Sequence, residues 1–426
     1  MQNDAFIIEG GNPLSGTVAA SGNKNAILPM LAACLLTDEE VVLENVPDII
    51  DVHVMAELLQ EMGATVEWQD DTLRVTASNV SINDELPEHL CNKIRTSFLF
   101  VAPLLHRQGF AKLHPPGGDG IGRRRLDAHF YGLRTMGAQI DEERMIFKAE
   151  KGLHGADLFF DEASVTATEH ILVAAVLADG ETTIRNAASE PHVQDLARML
   201  QRMGADITGL NTNTLVVQGV PRLSGTTHRV VSDHIEAGSF LALAAATGGD
   251  VTITGTTKSH YWMINRVFNR FGIQLELNSD SIVLPGGQRP HICKDIGGHI
   301  PRIDDGPWPQ FPTDLMSAML VLATQSEGTV LFFEKMFESR MYFVDPLIRM
   351  GASIIVCDPH RVVITGKTPL SGLTMRSPDI RAGMGLMIAA LCAKGESIVQ
   401  NAQIIDRGYE TIETKLLSLG AHIRRA

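Results

Sequence analysis

The sequence predicts an α/β protein made of six repeats of a helix–strand–helix–strand unit. Two observations carry this: a glycine signature that recurs at near-constant spacing, and two helices of contrasting polarity ahead of it. The signature reads Met62-Gly63-Ala64, Met136-Gly137-Ala138, Met203-Gly204-Ala205, Phe271-Gly272-Ile273, Met350-Gly351-Ala352 and Leu419-Gly420-Ala421. Its glycines lie 74, 67, 68, 79 and 69 residues apart, so six units of about 70 residues account for all 426 residues. Units this long exceed the 20–50 residues usual for solenoids and instead form helix-and-sheet layers that group into globular domains.

Each unit opens with an almost uniformly apolar segment: Ala26–Leu36, Ile171–Leu177, Phe240–Ala246, Leu315–Ala323 and Met384–Cys392. A helix apolar on every side is buried on every side. A strand follows, as at Glu40–Leu43, Thr182–Arg185 or Ser397–Val399. Next comes an amphipathic helix such as Val52–Met62, with Val52, Met55, Leu58, Leu59 and Met62 on one face. The signature glycine stops that helix in a left-handed conformation, which costs a residue without Cβ little. A short strand such as Thr65–Trp68 or Asp206–Ile207 closes the unit.

Polar residues fall at two matched places. Lys24, Asn25, Arg95, Thr168, Asp233, Asp314 and Arg381 stand 36–42 residues before their signature glycines, where the apolar helix begins. Asparagine, threonine and aspartate there suit N-capping. Lysine and arginine do not suit the positive end of a helix, so Lys24, Arg95 and Arg381 point to a bound anion. Arg124, Glu190, Arg340 and Arg407 stand 11–14 residues before their glycines, ahead of the amphipathic helix. Equivalent helix ends in repeated units face the same way, which predicts a cleft lined by cations and suited to a small phosphate- and carboxylate-bearing ligand. The run Gly117-Gly118-Asp119-Gly120-Ile121-Gly122, followed by Arg123, Arg124 and Arg125, reads equally as a flexible surface loop and as a glycine-hinged lid. It is not a dinucleotide fingerprint, because Arg123 stands where that motif needs glycine. Gly366-Lys367-Thr368 is not a phosphate loop, because Arg361 stands at its first glycine.

A net charge of −14 argues against nucleic-acid and anionic-membrane partners. Five dispersed cysteines and 15 histidines without paired spacing predict free thiols, a reducing cytoplasmic location and no metal site. The first residues, MQNDAFIIEGG, do not read as a signal peptide, and no apolar run is long enough to span a membrane.

Five segments carry a resemblance: Ser21-Gly22-Asn23-Lys24-Asn25-Ala26, Asn45-Val46-Pro47, Phe311-Pro312-Thr313-Asp314, Asp379-Ile380-Arg381-Ala382 and Ile405-Asp406-Arg407-Gly408-Tyr409-Glu410. With them the chain resembles, over its full length, the UDP-N-acetylglucosamine enolpyruvyl transferases, and less closely the sister family that makes enolpyruvylshikimate phosphate. The resemblance implies a two-domain inside-out α/β barrel with three repeats per domain. One domain would span 23–231 and carry the lid at about 115–125. The other would join 1–22 to 232–426 and carry Asp314 with Arg340, Arg381 and Arg407. The implied reaction moves the enolpyruvyl group of phosphoenolpyruvate to the 3-hydroxyl of UDP-N-acetylglucosamine and releases phosphate, the first committed step of peptidoglycan precursor synthesis. The alternative is the same transfer to another nucleotide or sugar-nucleotide acceptor. No metal or organic cofactor is implied.

The resemblance also implies roles. Lys24, Arg95, Arg124, Arg340, Arg381 and Arg407 would hold phosphoenolpyruvate. Asn25, Arg95, Arg124, Arg125, Leu126, Asp127, Ser164, Val165, Thr166, Asp314 and Met336 would contact the UDP-sugar. Asp314 would be the base beside the reacting hydroxyl, with Lys24 and Arg407 among the catalytic groups and Asp379, Glu190 and His129 in support. The chain departs from the commoner pattern at five places. Asp119 replaces a cysteine, Arg125 a proline, Thr166 a glycine and His234 an arginine, while Glu162 stands where some members have lysine. A carboxyl group can carry a proton as a thiol does but is a poorer nucleophile, so Asp119 would be the proton donor and the protein would resist the epoxide fosfomycin.

Overall fold

The computed structural model describes residues 4–80 and 85–426. The chain forms two compact units. The first comprises Met1–Ser21, Asp119–Arg124 and Ser232–Ala426; the second comprises Gly22–Gly118 and Arg125–Val231. The segment 119–124, expected with 23–231, groups with the first unit. There Arg407 Nη1 donates to Asp119 Oδ1 (2.8 Å), Ser339 N to Ile121 O (3.1 Å) and Arg123 N to Glu338 Oε2 (3.2 Å).

The six signature glycines have φ of 90°, 98°, 106°, 66°, 110° and 89° in chain order. At each, the glycine N–H and the next N–H close onto carbonyls of the preceding turn. Gly63 N donates to Gln60 O (2.9 Å) and Ala64 N to Leu59 O (3.0 Å), and the same pair recurs through Gly420 N to Leu417 O and Ala421 N to Leu416 O (3.0 Å each). This is the double C-terminal closure that a left-handed residue permits.

The apolar helices fill the centres. In the second unit these are Lys24–Ala33, Val101–Gln108 and Val165–Ala175; in the first, His234–Thr247, Met316–Thr324 and Ile380–Cys392. Every residue of Met316–Thr324 is buried, so truncating Leu320 to alanine should cost ~2–5 kcal/mol. Three sheets surround each set of helices. Most combine an antiparallel group with one parallel edge strand. In one, Val41–Glu44 pairs antiparallel with Thr72–Thr76 (Val41 opposite Val75, Leu43 opposite Leu73) and parallel with Thr226–Arg229. Leu73 and Val75 face the core while Thr72, Arg74 and Thr76 are half-buried, the alternation a sheet with one covered face requires. Helices inside and sheets outside make each unit an inside-out α/β barrel. In the first unit this arrangement brings together the polar starts of the three central helices, at Asp233, Asp314 and Arg381. Among the described residues no helix is long and apolar enough to cross a membrane.

Candidate active site

In the first unit the helix starts converge on Asp314. It lies in a short 3-10 turn, Thr313–Leu315, that leads into Met316–Thr324. Asp314 Oδ1 accepts from Arg340 Nη2 (2.9 Å) and Oδ2 from Arg381 Nε (3.0 Å). Both arginine side chains are almost inaccessible, at 5% and 6% exposure, whereas Asp314 keeps 22%. Arg340 Nη1 and Arg381 Nη1 are buried without a hydrogen-bond partner among the described residues. Two desolvated guanidinium N–H groups held in place by one carboxylate are ready to donate to anionic oxygens.

Arg381 is held by its surroundings. Asp379 caps its helix, accepting at 2.9 Å from both Arg381 N and Ala382 N, and burial raises the Asp379 carboxyl above its usual range. The Arg381 guanidinium lies 5.3 Å from the Tyr409 ring centroid. Burial is the largest influence on Arg381 and favours its neutral form, but Asp314, Tyr409 and Asp233 outweigh it and hold the charge. Arg124 is half-buried; desolvation pulls its guanidinium down while Asp119 and Asp314 oppose. Arg407 and Asp119 form an ion pair at 2.8 Å, with 18% and 17% exposure. Asp314, Arg340, Arg381, Arg124, Arg407 and Asp119 thus share one neighbourhood. His234, in place of the expected arginine, is buried at the start of its helix, and burial lowers its imidazole.

The second unit gathers a different set. Lys24, the first residue of its helix, pairs with Asp51 at 2.9 Å, both side chains at most 10% exposed. Asn25 follows Lys24 in that first turn. Arg95 opens a 3-10 turn and donates from Nη2 to the Arg125 carbonyl (2.8 Å). Arg125 is exposed and bidentate to Asp127 (3.0 and 2.8 Å). Leu126 occupies the N-cap of Asp127–Thr135. Ser164 caps Val165–Ala175, accepting from Ala167 N at 3.4 Å, so Val165 and Thr166 lie in its first turn. Thr168, expected at the helix start, stands one turn inside and bonds Ser164 O (2.8 Å) and Ala188 N (2.9 Å) instead. His129 is buried against Thr166 and His170. Glu190 stands at the N-cap of Pro191–Arg202 and, after burial, is the second influence raising the Glu169 carboxyl.

Residues 8–416 match the family model for EPSP synthase (3-phosphoshikimate 1-carboxyvinyltransferase). The chain belongs to this family. Within it, UDP-N-acetylglucosamine 1-carboxyvinyltransferases are similar throughout. That of Borreliella burgdorferi is 51% identical with 99% of each chain covered, and that of Bradyrhizobium diazoefficiens is 52% identical over 99% of this chain and 97% of the relative. Among solved structures, the enolpyruvyl transferase NikO from Streptomyces tendae superposes with a TM-score of 0.88 at 23% identity, covering 100% and 99% of the chains. EPSP synthase from Acinetobacter baumannii gives 0.77 at 19% identity, covering 99% and 100%. Those two likenesses speak to the fold, which for this family is the inside-out α/β arrangement described above.

Several site residues escaped the sequence reading. Asp51 and His260 each lie 12 residues before a signature glycine, Gly63 and Gly272. The counting rule that picked out Arg124, Glu190, Arg340 and Arg407 reaches both, and so fills the second matched place in all six repeats. Glu334 had no such signal. It is wholly buried and accepts from Thr313 Oγ1 (2.8 Å) and from Met336 N and Phe337 N (3.0 Å each). It thereby ties the residue beside Asp314 to the loop that carries Met336 and Arg340. Burial first, and Asp305 next to it, raise its carboxyl above the usual range.

Proposed function

We propose that this member of the family transfers the enolpyruvyl group of phosphoenolpyruvate to the 3-hydroxyl of UDP-N-acetylglucosamine, releasing phosphate, in the cytoplasm and as the entry to peptidoglycan precursor synthesis. The observation that carries the acceptor is the near-complete alignment, at about half identity, with relatives named for that substrate. In the reaction the acceptor oxygen bonds C2 of phosphoenolpyruvate and a proton adds to C3. The tetrahedral intermediate then loses a C3 proton and phosphate. Arg124, Arg340, Arg381 and Arg407 bind the phosphate and carboxylate, and the unsatisfied N–H groups of Arg340 and Arg381 support this role. Lys24 and Arg95 complete the cationic set. Asp314 takes the acceptor proton, and its fixed place between two guanidiniums supports this. Asp119 delivers the proton to C3, and anionic substrate competes for its partner Arg407. Asn25, Arg125, Leu126, Asp127, Ser164, Val165, Thr166 and Met336 contact the sugar nucleotide. Asp379 and His129 position their neighbours, and Glu190 supports the second set.

Phosphate release from phosphoenolpyruvate, measured across a panel of UDP-sugars, tests the reading. Release is expected with UDP-N-acetylglucosamine and not without an acceptor. Release only with a different acceptor would move the chain to the alternative enolpyruvyl transfer.

A further inference from the structure

The second unit holds a chain of hydrogen bonds whose proton positions can be deduced. Ala102 N–H donates to His170 Nε2 (3.1 Å), His170 Nδ1 meets His129 Nδ1 (3.0 Å), and His129 Nε2 meets Thr166 Oγ1 (3.2 Å). Both imidazoles are buried, at 0% and 2% exposure. A backbone N–H can only donate, so His170 Nε2 must carry a lone pair. A neutral imidazole bears one proton, which therefore sits on His170 Nδ1 and points at His129. His129 Nδ1 must accept it, which leaves the His129 proton on Nε2, directed at Thr166. Thr166 Oγ1 in turn must accept, and its own proton has to leave in another direction. Among the described residues nothing takes that proton. Burial disfavours the imidazolium forms that would break the sequence.

We propose that His170 and His129 are positioning residues that fix the Thr166 hydroxyl as a one-way hydrogen-bond donor to the diphosphate of the sugar nucleotide. This rests on the reading that the nucleotide binds at this helix start. Thr166 is the second residue of Val165–Ala175, capped by Ser164, where the helix end favours an anion. An ionised phosphate oxygen only accepts, and an oriented hydroxyl meets it without first losing rotational freedom. A hydroxyl free to rotate could serve a donor or an acceptor equally. The relay removes that choice and so adds specificity for an anionic ligand.

Two measurements test it. Long-range proton–nitrogen spectra of histidine-labelled protein read the tautomers directly; His170 should be protonated on Nδ1 and His129 on Nε2. Calorimetric titration with UDP-N-acetylglucosamine and with UDP should show Thr166→Val binding about tenfold or more weakly, while Thr166→Ser stays within about threefold of the unchanged protein. In steady-state kinetics the loss in Thr166→Val should fall on the KM for UDP-N-acetylglucosamine, which should rise about tenfold, rather than on the KM for phosphoenolpyruvate. His170→Gln, which keeps an acceptor for Ala102 N–H but no donor at the Nδ1 position, should weaken nucleotide binding in the Thr166 background but add little in the Thr166→Val background, a coupling that general loosening of the fold would not produce. A His129 proton on Nδ1, or a Thr166→Val variant that binds as tightly as the unchanged protein, overturns the proposal alone. If the unchanged protein binds neither nucleotide, the substrate reading falls and the proposal with it.

Discussion

The two units solve one problem, polar groups at the start of buried helices, by opposite chemistry. In the first, Asp314, Arg340, Arg381, Asp119 and Arg407 hold each other by charge. In the second, His170, His129 and Thr166 are joined as neutral groups, beside the Lys24–Asp51 pair, the carboxyls of Glu169 and Glu190 and the rim around Arg125. A charged cluster gives strong, long-range attraction for an anionic substrate, but each member depends on its partner, because an unpaired buried charge is costly. A neutral relay gives little field yet transmits direction, because each tautomer dictates the next. The first suits a reaction in which charge develops; the second suits recognition of a fixed group.

The comparison breaks most visibly at Asp314. Asp314→Ala should lower turnover ~10²-fold or more while leaving sugar-nucleotide affinity within about tenfold. It should also destabilise the protein by ~3 kcal/mol, since Arg340 and Arg381 lose their shared counter-charge. Steady-state kinetics and urea unfolding read the two effects; near-normal turnover would remove Asp314 from the mechanism. Asp119→Ala and Asp119→Asn should each lose most turnover, whereas Asp119→Cys should stay active and become irreversibly inhibited by fosfomycin. Rapid covalent inactivation of the unchanged protein would contradict the assignment of Asp119.

The neutral relay should show itself through pH. Burial lowers the His170 imidazole from 6.5 to about 3. Between those values the unfolded chain binds a proton that the folded chain refuses. Stability therefore falls as pH drops below about 6.5 and levels off near 3. For one such group the loss between pH 7 and pH 5 is ~2 kcal/mol. Urea midpoints should show this loss shrinking by that amount in His170→Gln, whose amide does not titrate. Smaller again, Asp379→Ala removes a cap that satisfies two backbone N–H groups and should cost ~1 kcal/mol, with a larger effect on phosphoenolpyruvate KM because Arg381 is no longer seated. Smallest is Arg125→Ala. Its pair with Asp127 is exposed, so the melting temperature should not change, and any effect should be confined to nucleotide KM.

How far the sequence could be read depended on the kind of signal. Helix stops were legible because a left-handed residue after an amphipathic stretch strongly selects glycine, six times over. Helix starts were less so. Apolarity placed one central helix at Ile171, yet it begins at Val165, and another at Phe240, yet it begins at His234. The missing turns are polar because they carry the candidate site. The central helix Val101–Gln108 passed unnoticed, since it is short, contains Pro103 and follows a 3-10 turn.

The sequence by itself determined the six-fold repeat, the α/β class and the helix ends where cations gather, because local periodicity and glycine conformation act over a few residues. Only the tertiary structure decided which charges pair, that the segment 119–124 groups with the first unit, and that Glu334 joins Thr313 to the Met336 loop. It also decided that one backbone N–H, at Ala102, sets the protons on two histidines and a threonine far away in sequence. Partners of that kind are chosen by burial. Once water is excluded, each polar group must find its complement within about 3 Å, and linear spacing does not encode which group that will be.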